Sequence, residues 1–151
     1  MVNIWNIICV LIFPALISDA VFQNNVSSLT SSTNKYKLYY FDIRGRGELL
    51  RLLLYYLEEP FEDFRVSKQD WTAVYKKKMP YGHIPVLEFA ETGQLLADSY
   101  AISRYIAKKH GLAGKDDWEQ AKVDEFANFH NDVTMRFYIY IYPTEEVTFF
   151  N

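Results

Sequence analysis

The chain of 151 residues carries one cysteine, Cys9. A lone thiol closes no intrachain disulfide, and the absence of a Cys-x-x-Cys pair counts strongly against dithiol redox chemistry. Positive charge is also scarce: 16 Lys and Arg stand against 19 Asp and Glu, a net charge of −3. A nucleic-acid binder would present a basic face, so the expected partners are small molecules or proteins. The histidines His83, His110 and His130 lack zinc-ligand spacing, and the last two read as surface or packing residues. Long apolar runs are missing as well. Ile7 to Ile17, about eleven residues, is too short to span a bilayer.

That run has the length of a secretory signal core, and Ser18 and Ala20 place small residues where a signal peptidase reads them. Residues 1–20 are therefore expected to be a signal peptide cleaved after Ala20, with secretion as the destination and a cytoplasmic chain as the alternative. No Lys or Arg precedes the run, so the amino terminus supplies its only positive charge. Cleavage would remove Cys9 and leave no thiol in the mature chain. Residues 21–34 are polar and aperiodic, a linker with a glycosylation sequon at Asn25-Val26-Ser27.

What the chain does have is enough apolar surface for a core, since half its residues are hydrophobic and 17% are aromatic. It is organised around Tyr36 to Glu48. A β-forming run ends in Arg44-Gly45-Arg46-Gly47, and a leucine-rich helical pattern begins at Glu48. A phenol, two guanidiniums and a helix N-terminus meet at this junction, which suits an anion.

Tyr36 to Phe41 is apolar on both faces, so helices are expected on either side of it. The leucines from Leu49 to Leu57 make the following helix mostly buried. Phe61 to Val66 reads as a second strand, and Asp70 as the N-cap of a short helix starting at Trp71. Met79 to Gly82 is a turn, and Ile84 to Phe89 a third strand with Pro85 removing a donor. Glu91 to Gln94 turns into a short fourth strand at Leu95-Leu96. Asp98 and Ser99 compete to cap a helix that runs to Lys109 and ends at Gly111. Another helix starts near Asp116 to Glu119, with Val123, Phe126, Ala127, His130 and Val133 on one face. The first two strands should be parallel and the last two antiparallel, a mixed α/β sheet with helices on both sides.

This order, with Tyr36-Lys37-Leu38-Tyr39-Tyr40-Phe41, Arg44-Gly45-Arg46-Gly47-Glu48, Asp70-Trp71, Pro80-Tyr81-Gly82-His83-Ile84-Pro85-Val86-Leu87 and Asp98-Ser99-Tyr100-Ala101-Ile102, resembles the glutathione S-transferases. The sigma class, which includes secreted nematode enzymes and glutathione-dependent prostaglandin D synthases, is the nearest match. The resemblance covers Tyr36 to about Phe137, with Gly111 to Gln120 matching the link into the second domain. It implies a thioredoxin-like, four-stranded mixed sheet that binds glutathione at 35–111, and the start of an incomplete all-α domain at 112–151. The electrophile's pocket and a homodimer surface belong to the complete form.

By position in these motifs, the resemblance implies that Tyr40 donates to the glutathione thiolate with Arg46 assisting. A free thiol near pKa 8.5 is only a few per cent thiolate at pH 7, and a hydrogen bond to the anion raises that share. Tyr36 and Tyr39 are local alternatives, and strand alternation puts Tyr36 on the same side as Tyr40. Ile84-Pro85 is expected to be a cis peptide whose Ile84 backbone pairs with the cysteinyl segment. Ser99 would take the γ-glutamyl carboxylate and Asp98 the ammonium, Trp71 would lie along glutathione, and His83 would offer its ring or backbone. The chain carries one extra residue between Trp71 and Pro80 relative to the family, which makes the lysine for the glycyl carboxylate a choice among Lys76, Lys77 and Lys78. Lys76 is preferred.

Asn128 and Asn131 replace two carboxylates of the magnesium site known in some relatives, so no metal is carried over. After Tyr138 to Pro143 the chain departs from the family, so a truncated second domain is expected, with Phe126, Phe129, Phe137 and Tyr140 expected to lose their partners. Three functions follow as expectations: conjugation of glutathione to electrophiles, glutathione-dependent prostaglandin isomerisation, or a non-catalytic binding or structural module.

Overall fold

A computed structural model of the chain describes residues 34–141, with side chains to Phe137. The expected signal peptide, the linker before Asn34, the sequon at Asn25 and the Tyr140 side chain lie outside the described residues. The elements are β1 (Tyr36–Phe41), α1 (Gly45–Tyr56), β2 (Phe61–Val66), α2 (Lys68–Asp70) running into a π turn (Trp71–Tyr75), a 3-10 turn (Pro80–Gly82), β3 (Val86–Phe89), β4 (Leu95–Ala97), α3 (Ser99–Lys109) and α4 (Asp117–Ile141). The sheet runs β2-β1-β3-β4. Strand β1 is parallel to β2 and antiparallel to β3, and β3 is antiparallel to β4. This is the thioredoxin-like mixed sheet with flanking helices, followed by a further helix.

Both faces of the sheet are covered, as the apolar character of β1 requires. On one face Tyr36, Leu38 and Leu87 pack with Leu50 and Leu54 of α1 and Ile102 and Ile106 of α3. On the other, Tyr39, Val66, Val86 and Ala97 pack with Trp71 and Met79. Leu38, Val86, Leu87 and Ile102 are 0% exposed, and a fully buried aliphatic side chain contributes about 1.5–3 kcal/mol of hydrophobic stabilisation.

Several boundaries differ from the sequence expectation. Helix α1 begins at Gly45 and not Glu48, because the Glu48 N–H already donates to the Arg44 carbonyl (2.9 Å) and draws the Arg-Gly pairs into the first turn. Its fully buried stripe is Gly47, Leu50, Arg51 and Leu54, while Tyr55 and Tyr56 are exposed. Asp70 is not the cap of the short helix. Ser67 is: its hydroxyl accepts from the Asp70 N–H (3.0 Å) and donates to the Asp70 carboxylate (2.7 Å). Strand β3 starts at Val86, after the cis Ile84-Pro85 bond, and β4 reaches Ala97.

Asp98 wins the competition to cap α3. Its carboxylate accepts from the Tyr100 and Ala101 N–H groups at 3.1 and 2.9 Å, whereas Ser99 is the first helical residue. Helix α4 opens on two side-chain bonds, with Glu119 N–H donating to the Asp116 carboxylate and Lys115 N–H donating to the Glu119 carboxylate (both 2.8 Å). Arg104 ties it to α3 through Asp124 (2.5 Å) and Asn128 (2.7 Å), and Tyr100 Oη meets His130 Nδ1 at 2.8 Å. His110 packs against the Glu59 carboxylate at 3.2 Å. The outer face of α4 leaves Trp118, Phe129 and Phe137 more than 60% exposed.

Ile102→Ala should therefore destabilise the fold by about 2–5 kcal/mol in urea denaturation, whereas Phe129→Ser should change it by no more than about 0.5 kcal/mol. In the same measurement Asp98→Ala should cost about 1 kcal/mol and Asp98→Asn much less, since Asn retains an acceptor for the two amides.

Candidate functional site

The motifs scattered along the sequence meet at one end of the sheet because of its register. Phe41, the last residue of β1, pairs with Val66, the last of β2. Strand β3 begins at Val86 opposite Tyr39, so Tyr40 and Phe41 run past its start, beside Ile84-Pro85. Val86 also pairs with Ala97, immediately before Asp98-Ser99. The β1–α1 junction, the segment from Ser67 to Lys76, the Ile84-Pro85 bond and the start of α3 consequently share one edge.

Tyr40 is 1% exposed, and its hydroxyl accepts a hydrogen bond from the Arg46 backbone N–H at 3.0 Å. That amide lies in the first turn of α1, where N–H groups have no partner within the helix and carry the positive end of its dipole. The two glycines explain why the ring fits. Gly45 has φ +41, and a Cβ there would sit 2.6 Å from the Tyr40 hydroxyl; at Gly47 it would sit 2.4 Å from Tyr40 Cδ1. The Arg46 guanidinium reaches α4, with Nη2 2.9 Å from Met135 Sδ.

The other two tyrosines are committed elsewhere. Tyr36 lies at the opposite end of β1, where its hydroxyl accepts from Lys109 Nζ at 2.9 Å and raises the pKa of that ammonium. Tyr39 points to the other face and donates to Glu88 Oε2 at 2.5 Å. Burial, and then the Glu88 carboxylate, push its pKa far above that of a free phenol. Among the three, Tyr40 alone stands at the strand-to-helix junction.

Trp71 is buried in the second core cluster, with Phe41 edge-on at 5.9 Å. A π turn follows Trp71: the Lys76 N–H donates to the Trp71 carbonyl five residues back (2.9 Å). Lys76 then runs beside Gly82, where an added Cβ would lie 3.5–3.9 Å from its carbonyl oxygen, Cγ and Cε. This brings Lys76 to the turn that carries His83, which is exposed, and Ile84, which is half-buried. Pro85 is buried and follows a cis bond. Asp98 is exposed at the start of α3, and Ser99 beside it is 4% exposed.

Sequence reasoning missed Arg51. Its side chain is 4% exposed, with donors directed to the Phe41 carbonyl (3.2 Å), the Ile43 carbonyl (2.9 Å), Glu48 Oε2 (3.1 Å) and Asp63 Oδ1 (3.0 Å). The available signal was a charged residue in a leucine run, three positions after Glu48. Gly47 and Met135 were also missed, because contact across space leaves no mark in local pattern. A cavity of about 810 Å³ opens at the opposite end of the sheet, by Tyr36, Phe89, Leu96 and Lys109, away from Tyr40, Lys76, Ile84 and Ser99.

The family model "Glutathione S-transferase, N-terminal domain" matches residues 36–108. A glutathione S-transferase of Anopheles gambiae is 41% identical over 112 residues, covering 74% of this chain and 54% of that protein. The hematopoietic prostaglandin D synthase of Rattus norvegicus is 43% identical over 97 residues, covering 64% and 47%. Among solved structures, prostaglandin synthase D of Nilaparvata lugens superposes with a TM-score of 0.66 at 39% identity, over 76% of this chain and 56% of that one. The chain thus spans about half the length of the relatives it matches. With four strands in this order and a family match over residues 36–108, that segment is a glutathione S-transferase N-terminal domain, and the chain belongs to the glutathione S-transferase family.

Proposed function

We propose that the chain binds glutathione at the sheet edge where these motifs converge, and that Tyr40 stabilises the glutathione thiolate for attack on electrophiles. The observation that carries this reading is the Arg46 N–H donated to the Tyr40 hydroxyl at 3.0 Å. Accepting that bond engages an oxygen lone pair, while the phenol's own proton is the donor a thiolate would use. The positive end of α1 and the Arg46 guanidinium favour an anion in the same place. A hydrogen bond to sulfur lowers the thiol pKa and so increases the nucleophile present at neutral pH.

The remaining assignments follow the edge. Ile84 would pair through its backbone with the cysteinyl segment, as an added strand does. Ser99, at the first turn of α3, would take the γ-glutamyl carboxylate, with the exposed Asp98 carboxylate for the ammonium. Lys76 would meet the glycyl carboxylate: the π turn absorbs the extra residue and gives Lys76 the hydrogen bond that a residue four after Trp71 makes in an α-helix. Trp71 acts from the core beneath this segment, and His83 borders it.

The sigma class is the assignment we favour within the family, and glutathione-dependent prostaglandin isomerisation is the second reading. The named similarity to two prostaglandin D synthases supports it, and both reactions need the same thiolate. A glutathione-binding module without turnover is the third reading, supported by the aromatic face that α4 exposes. Secretion through residues 1–20 and formation of a homodimer remain parts of the proposal.

Tyr40→Phe should reduce glutathione conjugation to an aryl halide by about 10²-fold while leaving calorimetric glutathione affinity nearly unchanged, the pattern of one lost transition-state donor. Unchanged turnover would remove Tyr40 from the role. Lys76→Ala should weaken glutathione binding by about tenfold, the size of a lost charge-assisted hydrogen bond, with Lys77→Ala near wild type. The reverse pattern would move the glycyl contact to Lys77.

A further inference from the structure

We propose that Arg51 is a positioning residue that holds the β1–α1 loop in the shape that delivers the Arg46 N–H to the Tyr40 hydroxyl. The proposal rests on the reading of Tyr40 given above and adds what sets its geometry. Tyr40 and Arg46 are six positions apart, so the 3.0 Å contact between them depends on the path of the loop that joins them. Two carbonyls of that loop, Phe41 and Ile43, accept hydrogen bonds from Arg51 at 3.2 and 2.9 Å. The same guanidinium is anchored to the α1 helix by Glu48 (3.1 Å) and to β2 by Asp63 (3.0 Å). Its Cζ lies 5.8 Å from the centre of the Tyr40 ring, on a side chain that is 4% exposed. One planar group thus fastens strand, loop and helix around the tyrosine.

The chemistry calls for arginine and not merely a positive charge. Four acceptors in different directions require donors on three nitrogens in a rigid fork, whereas a lysine ammonium presents its donors from a single point. Lysine would still offset the Glu48 and Asp63 carboxylates, so Arg51→Lys separates geometry from charge. Arg51→Met would also strand Asp63, which is largely buried and otherwise held by Arg65 at 2.9 Å. Lost stability and lost positioning would then be mixed.

The test uses the full chain, isotopically labelled, as wild type, Arg51→Lys and Tyr40→Phe. Amide hydrogen exchange is followed without ligand, and the ultraviolet thiolate absorbance of bound glutathione is titrated against pH. In Arg51→Lys the Arg46 amide should exchange about tenfold faster or more, while the Leu38 amide in the core of β1 changes less than about threefold. The bound thiol pKa should rise by about one unit, about a tenfold lower thiolate-to-thiol ratio at a given pH, with glutathione affinity held within about threefold. Wild-type exchange at Arg46 together with a wild-type titration would overturn the proposal. So would equal acceleration at Arg46 and Leu38, which marks general destabilisation. If Tyr40→Phe titrates like wild type, the Tyr40 reading fails along with the thiolate part of this proposal, and exchange at Arg46 alone decides whether Arg51 positions the junction.

Discussion

Strand β1 is hydrogen-bonded along both edges and buried on both faces, and the rest of the described fold is arranged by that condition. A strand with partners on either side cannot slide by one residue without turning its apolar side chains to the wrong layer. Its register therefore sets where β2, β3 and β4 begin and end, and the segments that follow those ends come to one edge. Tyr40 stands there because it is near the end of β1, past the point where β3 starts. Tyr36, on the same face of the same strand, is carried to the other end and bonded to Lys109.

At that edge the polar groups are placed by packing as much as by hydrogen bonding. The Tyr40 ring occupies the space left by the absent side chains of Gly45 and Gly47, which brings its hydroxyl to the first turn of α1. Arg51 closes the same region from inside the helix, its charge offset by Glu48 and Asp63 and two further donors used on the Phe41 and Ile43 carbonyls. A buried guanidinium left without such partners would be costly, so its network is expected to be rigid once formed. Helix α4 adds the last contact through Met135 to Arg46, which links the sheet domain to the helix that follows it.

Much of this was readable beforehand. The alternation in Phe61 to Val66, the turn at Gly93 and the capping signals around Asp98 and Asp116 are local patterns with local causes, and they led to the right elements in the right order. The errors lay at element ends. Asp70 and Ser67 are both sound caps by residue type, and only the backbone decides which one presents its oxygen to a helical amide. Glycines in the first turn of α1 look like a break in sequence, yet there they serve as room for a ring.

Residue order along the chain was thus sufficient for the strand and helix succession, because backbone preference and apolar period act over a few neighbours. Which tyrosine meets a helix amide, which arginine holds the loop, and that the chain after Trp71 winds as a π turn were decided only by tertiary structure. Those choices depend on groups far apart in the chain being brought to within about 3 Å, a distance that hydrogen bonding demands and that local sequence does not encode.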